Sequence, residues 1–306
     1  MTRRMLTAAI AVTALLLGGC GSGGSDDGAG GQPAASASGA AYPATAGGVT
    51  LDARPERIVS LAPTATEVLF AIDAGSQVVA VDDQSTYPPE APRSELSGFK
   101  PNAEAIAAKN PDLVVVSDDL NKIVDQLTKL KIPVLFAPAA KTLDDTYGQI
   151  AQLGTLTGHP AEAAALTGRM RADIDKIVKG VPARSAPLTY YYELDPTYYT
   201  VTSQTFVGSI FAMVGLKNVA DGAKTAYPQL SQEALVSADP DMIFLADSKC
   251  CAQSPATVKA RKGWSGVTAV KTGQVVALDD DIASRWGPRV VDLVRSVADA
   301  VAKVPA

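Results

Sequence analysis

The hydrophobic and polar positions of this chain predict strands and helices that alternate over most of its length. Short apolar runs typical of buried strands read "RIVSLAP" at 57–63, "QVVAVDD" at 77–83, "PDLVVVS" at 111–117 and "IPVLFAP" at 132–138. Between the first two, "TATEVLFAIDAG" has helical spacing, with Thr64 or Thr66 placed to cap the helix and Gly75 placed to end it. Such alternation predicts a parallel sheet covered by helices.

The second half of the chain repeats the plan of the first. "EAIAAKNPDLVVV" at 104–116 returns as "EALVSADPDMIFL" at 233–245, with the glutamate, the apolar helical stretch, Pro-Asp and the hydrophobic run at the same spacing. Residues 142–180, interrupted at Gly158-His159-Pro160, predict two helices, and the second would be about 30 Å long at ~1.5 Å per residue. The pattern therefore predicts an α/β fold of two αβα lobes with mainly parallel sheets, joined by one long helix.

Two aromatic features of the second half are expected in its core rather than at a site. Tyr190, Tyr191 and Tyr192 follow one another in the predicted strand "PLTYYYEL", and Trp264 follows the loop beyond the second repeat. Consecutive large side chains in a strand are buried when helices cover both faces of its sheet.

The N-terminus has the layout of an export signal. Arg3 and Arg4 precede "MLTAAIAVTALLLGGC", which is too short for a comfortable membrane span and ends in small residues. Its last four residues resemble the lipobox of bacterial lipoproteins, in which removal of residues 1–19 leaves Cys20 to carry a lipid. An ordinary signal peptide with a chance cysteine is the alternative.

The domain boundaries follow from composition. Residues 20–50, rich in Gly, Ser and Ala, predict a flexible linker that ties the protein to the outer face of the cell membrane. No other apolar run is long enough to cross a bilayer. Folded sequence is expected from Pro55, with an N-terminal lobe at 55–158, a connecting helix at 159–182 and a C-terminal lobe at 183–306.

Composition excludes several kinds of function. The 306 residues contain 27 Lys plus Arg against 32 Asp plus Glu, with no basic stripe that would hold nucleic acid. His159 is the sole histidine, so a bare zinc or manganese site built from several histidines is not expected, and iron would arrive inside a chelator. No phosphate-binding loop or nucleophile motif supports an enzyme.

The order of the segments resembles the solute-binding proteins of bacterial ABC importers for iron-siderophores, haem and cobalamin, over roughly residues 57–302. The resemblance implies little hinge bending, a shallow ligand site between the lobes, no cofactor, and a monomer that delivers its ligand to a permease dimer. A ferric siderophore is the expected ligand, with haem and cobalamin as alternatives. A non-transport envelope scaffold and a hydrolase-like enzyme are the alternatives of other classes.

The resemblance also implies which side chains face the ligand. They combine aromatic rings that would stack on a flat chelate with an arginine for its anionic oxygens. The positions are Tyr87, Phe99, Tyr198, Tyr199, Tyr227, Asp281, Arg285 and Trp286. Asp281 could hold Arg285 if this segment is helical, or the two form only a surface ion pair. Ordinary packing is the alternative for each tyrosine, Trp286 fits a cleft or a core, and Arg289 is expected to face solvent.

Glu104 and Glu233, the repeated glutamates, match the family positions at which a glutamate on each lobe meets arginines of one permease subunit. A glutamate in the first turn of a helix is favoured by the helix dipole and stays available for pairing with arginine. The alternative is that both are merely favourable residues for a helix start.

Cys250 and Cys251 are adjacent in a chain expected outside the cytoplasm, where thiols tend to oxidise. Their Cα atoms would lie about 3.8 Å apart, below the usual disulfide range of about 4.4–6.8 Å. A vicinal disulfide and a reduced pair both remain open, and neither is expected to be catalytic.

Overall fold

The alternating pattern forms a short hairpin and two four-stranded sheets in the computed structural model, which describes residues 41–305. The strands are β1 Ala44–Ala46, β2 Val49–Leu51, β3 Ile58–Leu61, β4 Val78–Val81, β5 Leu113–Val116, β6 Val134–Phe136, β7 Thr189–Glu193, β8 Lys217–Asn218, β9 Met242–Leu245 and β10 Val275–Ala277. All neighbours within the two larger sheets are parallel. Within this described range, no helix has the length and apolar character needed to cross a membrane.

Helices cover both faces of each sheet. They are α1 Pro63–Ala71, α2 Ala103–Ala107, α3 Ile123–Lys129, α4 Leu143–Thr157, α5 Pro160–Lys179, α6 Phe206–Met213, α7 Gln232–Ala238, α8 Pro255–Lys259, α9 Thr268–Lys271, α10 Asp280–Ala283 and α11 Val290–Lys303. Because helices lie on both sides, three consecutive tyrosines of β7, Tyr190 to Tyr192, are at most 1% exposed. Trp264 is also 1% exposed, so both core predictions are confirmed.

The two sheets have the same topology. The order β4-β3-β5-β6 in the N-terminal lobe and β8-β7-β9-β10 in the C-terminal lobe both read second, first, third, fourth. In each lobe the helix of the repeated segment leads into the third strand, α2 into β5 and α7 into β9. The sequence repeat is therefore a repeat of topology.

The repeated Pro-Asp has a structural function in both lobes. The Oδ2 atom of Asp112 accepts the backbone N–H of Arg57 at 2.9 Å, just before β3. Asp241 accepts the N–H of Thr189 at 2.8 Å, at the start of β7. Each aspartate thus fixes the first strand of its sheet beside the third.

The long connection is helical as predicted. A capping box formed by Thr142 and Asp145 starts α4, and Gly158 ends it in the left-handed conformation with φ 83°. Pro160 then starts α5, which runs to Lys179. The predicted cap of α1 is wrong, because that helix starts at Pro63 and the Thr66 hydroxyl instead lies within hydrogen-bond distance of the Ser60 hydroxyl and the Ala62 carbonyl.

Ordered structure begins before Pro55, which corrects the end of the predicted linker. Val49 and Leu51 of the β1–β2 hairpin, 9% and 5% exposed, belong to the main hydrophobic core. The Tyr42 hydroxyl donates to the carbonyl of Leu156, at the end of α4, at 3.0 Å. The small residues that suggested a flexible segment form the tight turn at Gly47 and Gly48, both at positive φ. Cys20 and the predicted signal peptide lie outside the described residues.

Leu51→Ala should lower the free energy of unfolding by about 2–5 kcal/mol, the range for truncating a buried leucine. Thr50→Ala, one position away on the exposed face of the same strand, is the matched control and should have little effect. Chemical denaturation of both variants checks this. Equal stabilities of the wild type and Leu51→Ala would show that the hairpin is not part of the folded lobe.

Candidate ligand-binding cleft

Arg285 brings the carboxyl edges of the two sheets together. It lies in the segment after α10, which follows the last strand of the C-terminal lobe, and donates to the carbonyl of Gln84, shortly after β4, at 3.0 Å. The same guanidinium donates to Asp281 at 2.8 Å and to Glu67 of α1 at 3.0 Å. Ligands of parallel α/β sheets bind at the carboxyl ends of the strands, so the cleft lies at this junction.

Glu67 is a buried acceptor that helps to join the lobes. Its side chain is 2% exposed and receives Arg285 together with Arg289, whose Nε donates at 2.9 Å. The hydrogen bond to Glu67 raises the pKa of Arg289 above its ordinary value. The expectation that Arg289 faces solvent is wrong, because this buried carboxylate holds its guanidinium.

Arg285 differs in one respect from the open cation that the sequence predicted. The Asp281–Arg285 pair forms, but the Arg285 side chain is only 11% exposed and is bonded to Glu67 and a backbone carbonyl as well. It is therefore neither a simple surface pair nor an uncommitted positive charge. Sequence reasoning missed Glu67, whose signal was a single acidic residue inside the apolar helix "PTATEVLFA".

A second group of charges extends from Asp281 into the C-terminal lobe. The Lys249 ammonium, in the loop after β9, donates to Asp279 at 2.8 Å and to Asp281 at 3.1 Å. Burial raises the pKa of Asp279, but the hydrogen bond and charge of Lys249 outweigh it and leave that pKa below the ordinary value. Each cation of the cluster formed by Lys249, Arg285 and Arg289 is thus already bonded to a carboxylate.

Exposed aromatic rings lie near the carboxyl edges on both lobes. The predicted positions with large exposed side chains are Tyr87 at 44%, Phe99 at 69%, Tyr199 at 42% and Tyr227 at 58%. Phe136, the last residue of β6, is 43% exposed and was missed because it reads as part of an apolar strand. These rings give the cleft flat apolar surface on both sides.

Local structure fixes where these rings lie. A Cβ on Gly98 would lie 2.7 Å from Oδ2 of Asp82 and 3.0 Å from the Leu61 carbonyl at the end of β3, so a larger residue before Phe99 would have to displace one of these groups. In the C-terminal lobe, Thr200 and Thr202 donate backbone N–H groups to Pro228 and Ala226. Those bonds hold the segments of Tyr199 and Tyr227 side by side. Tyr87 lies under the Arg289 guanidinium, 4.2 Å from the ring centroid.

Two predicted cleft aromatics pack inward instead. Tyr198 stacks on Trp264 with ring centroids 5.9 Å apart, and its hydroxyl points to Gln232 at 3.4 Å. Trp286 packs against the core and donates from Nε1 to Gln149 of α4 at 3.1 Å. Both are better explained as packing residues, since their ring faces or polar edges are already occupied by protein groups.

A buried group of charged residues lies below this edge of the C-terminal lobe. Arg261 forms a two-pronged pair with Glu193, the last residue of β7, with NH1 to Oε2 at 2.6 Å. Asp247, after β9, is 0% exposed, and neither of its carboxylate oxygens has a hydrogen-bond partner among residues 41–305. Burial first, and the neighbouring Glu193 second, raise the pKa of Asp247 to about 7.

Glu104 and Glu233 occupy equivalent places in the two lobes. Each is the second residue of its helix and exposed, after a residue, Asn102 or Ser231, that caps the helix through its side chain. Neither glutamate forms a salt bridge with any residue that the structure describes. Among residues 41–305, the repeated caps and aspartates have bonded partners, whereas the side chains of the two glutamates form no salt bridge.

The structure contains Cys250 and Cys251 as a vicinal disulfide with Cα atoms 3.8 Å apart. Its formation in the protein stays a prediction. In the part of the chain from 41 to 305, no cluster of three or more His, Cys, Asp and Glu is arranged to hold a metal ion.

Comparisons with known proteins agree with this geometry. A family model described as "Periplasmic binding protein" matches residues 58–282. The "Cobalamin-binding protein" of Halobacterium salinarum is 35% identical over 263 residues, which cover 82% of this chain and 71% of that protein. An ABC transporter substrate-binding lipoprotein of Bacillus subtilis, described as uncharacterized, is 30% identical over 83% of this chain and 82% of its own.

A solved structure has the same fold. The periplasmic vitamin B12 binding protein of Vibrio cholerae superposes with a TM-score of 0.68 at 26% identity, covering 81% of this chain and 96% of that one. The likeness extends over both lobes.

The raised pKa of Asp247 predicts a pH dependence of stability. Between about pH 4 and about pH 7 the folded state binds this proton and the unfolded state does not, so stability should fall as pH rises through that window. The slope from one group is at most about 1.4 kcal/mol per pH unit. Asp247→Asn should remove it, as measured by denaturation at several pH values.

The difference in stability between the wild type and Asp247→Asn reports on the Asp247 carboxyl alone. His159, whose pKa is lowered by burial and by Arg54, contributes equally to the pH dependence of both. Parallel pH profiles of the wild type and Asp247→Asn would contradict the assignment.

Proposed function

Because the chain belongs to the periplasmic binding protein family, whose members bind solutes and are not enzymes, we propose that it captures a cobalamin-type ligand for an ABC importer. Cobalamin is a broad corrin ring with apolar faces and an edge of carboxamide groups. The ligand would lie between the exposed rings of the two lobes, over the charge cluster around Arg285.

One observation carries this choice of ligand. Exposed aromatic rings flank a cluster in which Lys249, Arg285 and Arg289 are each already bonded to carboxylates. Carboxamides donate to carboxylates and accept from guanidinium groups, so such a ligand can bond to both members of a pair without separating them. The names of the Halobacterium and Vibrio relatives support the same ligand class.

An anionic ligand fits this cluster less well. Ferric siderophores and haem present carboxylate, catecholate or hydroxamate oxygens, which would compete with Glu67 and Asp281 for Arg285. Removing one partner from a buried ion pair is costly, because the remaining charge keeps little of its hydration. The siderophore that the sequence analysis put first therefore becomes the second candidate.

The rim of the cleft is the feature that favours this second candidate. Lys100, next to Phe99, and Lys224, three residues before Tyr227, are exposed and have no salt bridge with any residue from 41 to 305. Two such lysines could attract an anionic ferric chelate from solution. Substitution of both should leave cobalamin affinity unchanged.

The proposal includes a lipid on Cys20 that holds the protein at the outer face of the membrane. The lipobox-like segment before Cys20 supports this part of the proposal, together with the word lipoprotein in the name of the Bacillus relative. A tether of this kind keeps the lobes near the permease.

Glu104 and Glu233 are the proposed contacts with the permease dimer. Their equivalent positions on lobes of equal topology suit a partner made of two similar subunits. Their exposure leaves both carboxylates available for arginine.

A titration of the fragment that begins at Ala41, followed by tyrosine and tryptophan fluorescence, tests the ligand. Cyanocobalamin should bind more tightly than ferric hydroxamate, ferric citrate or haem. Tyr227→Ala should weaken cobalamin binding by about tenfold, since an aromatic stacking contact is worth roughly 0.5–1.5 kcal/mol beyond its buried area. Leu130→Ala, which truncates another side chain that is 52% exposed, is the control. If a ferric chelate binds most tightly, cobalamin is not the ligand and the ferric siderophore becomes the first candidate.

Reversing the charge of both repeated glutamates tests the docking contact. Glu104→Lys with Glu233→Lys should weaken docking to the permease by at least about tenfold, because interface charge pairs couple by about 1.5 kcal/mol or more. Ligand affinity should stay unchanged. The control is Asp173→Lys with Asp299→Lys, which alters the net charge equally on exposed positions of α5 and α11. Normal ligand uptake by the glutamate double variant would refute the docking contact.

A further inference from the structure

We propose that Asp280 is a positioning residue for the cleft: it fixes the loop Ser248–Cys251 against α10 and so sets the place of the Asp281–Arg285 pair. This inference rests on the proposed function for its ligand. It adds the loop after β9, which contains none of the aromatic cleft residues, to the parts of the protein that determine ligand specificity. The carboxylate of Asp280 makes all its hydrogen bonds to residues about thirty positions earlier in the chain.

Asp280 binds three consecutive residues of the loop. Its Oδ1 accepts the Ser248 hydroxyl at 2.8 Å, and its Oδ2 accepts the backbone N–H groups of Lys249 and Cys250, each at 2.9 Å. The Ser248 hydroxyl also contacts the carbonyl of Leu278 at 2.7 Å. Burial raises the pKa of Asp280, but these donors outweigh burial and leave it below the ordinary value, so the carboxylate stays charged.

Asp280 is not needed for its own helix. Asp279 is the N-cap of α10, and its Oδ1 accepts the backbone N–H of Asp281 at 2.9 Å. The carboxylate of Asp280 is turned away from the helix toward the loop. Helix capping therefore does not explain its bonds.

The loop in turn holds the cleft pair. Lys249 donates to one carboxylate oxygen of Asp281, and Arg285 donates to the other. With Asp281 held from both sides, the guanidinium of Arg285 is aimed at Glu67 and at the carbonyl of Gln84 in the opposite lobe. A shift of the loop would move the Lys249 contact and with it the orientation of Arg285.

The loop is fixed at its other end as well. The backbone N–H groups of Cys251 and Gln253 both point to the carbonyl of Asp247, at 3.2 and 3.3 Å. The Gln253 side chain accepts from Arg261 at 2.7 Å, which ties it to the buried Glu193. Since one end is bonded to the buried charges and the other to Asp280, removal of Asp280 should release only the side that reaches the cleft.

The test combines affinity and coupling in the fragment that begins at Ala41. Asp280→Ala should weaken cyanocobalamin binding by about tenfold, and Asp280→Asn, which keeps one acceptor oxygen, by less. If Asp280 acts through Arg285, the double variant with Arg285→Ala should bind no more weakly than Arg285→Ala alone. Additive losses would overturn the proposal, because a general loss of structure would add to the loss of Arg285.

Asp239→Ala is the matched control. Asp239 also holds a loop segment, accepting the backbone N–H of Thr268 at 2.6 Å, but it lies before β9, at the opposite edge of the same sheet. Its removal should lower stability without changing ligand affinity. An equal loss of affinity in both variants would contradict a specific role for Asp280.

Hydrogen exchange separates this proposal from the proposed function. Without any ligand, the hydrogen-bonded backbone amides of residues 281–284, which donate to Asp279 and Asp280, should exchange faster in Asp280→Ala than in the wild type or in Asp239→Ala. If the wild type binds no cobalamin, the ligand assignment fails, while the exchange result still decides the positioning role. Unchanged exchange in that segment would overturn it.

Discussion

The buried carboxylate of Glu67 is the interaction on which the arrangement of the two lobes depends. It is 2% exposed in the N-terminal lobe and receives the guanidinium groups of Arg285 and Arg289 from the segment that follows the last strand of the C-terminal lobe. A carboxylate with bonded guanidinium partners tolerates burial, whereas one without them would not. The tie joins segments more than two hundred residues apart in sequence and brings the carboxyl edges of both sheets to one place.

This tie also limits what the cleft can recognise. Arg285 and Arg289 form ion pairs with Glu67, and Lys249 forms ion pairs with Asp279 and Asp281. The cations at the floor of the cleft are therefore already paired with carboxylates of the protein. A ligand that supplies both donors and acceptors adds bonds without removing a partner, which favours the carboxamide edge of a corrin over an anionic chelate. In the proposed binding mode, the aromatic rings contribute apolar contact and shape, and the ordered position of Arg285 contributes specificity. The positioning role proposed for Asp280 belongs to this scheme.

Much of the fold could be predicted from the sequence because both lobes repeat one local pattern. Buried parallel strands read as continuous apolar runs, and the segments that begin at Glu104 and Glu233 lead into equivalent strands. The hairpin at 44–51 could not be predicted, since its strands are short and small residues give no clear alternation. Its burial depends on α4, which lies a hundred residues further along the chain.

The exposure of several candidate cleft residues could be predicted from the sequence, but the orientation of their side chains less so. Tyr87, Phe99, Tyr199 and Tyr227 are exposed as a ligand surface requires, yet Tyr198, next to one of them, turns onto Trp264. The direction of a side chain in an irregular loop depends on contacts distant in sequence. Two partners of Arg285 could not be predicted for the same reason. Glu67 and the carbonyl of Gln84 both lie more than two hundred residues before it.

The salt dependence of cobalamin affinity tests the central claim most directly. If the cations of the cleft are matched within the protein and the ligand binds by stacking and neutral hydrogen bonds, raising NaCl from about 0.05 M to about 0.5 M should change the dissociation constant less than about twofold. The account is contradicted if affinity falls tenfold or more over that range, because the ligand would then be held by charges that the structure shows as already paired.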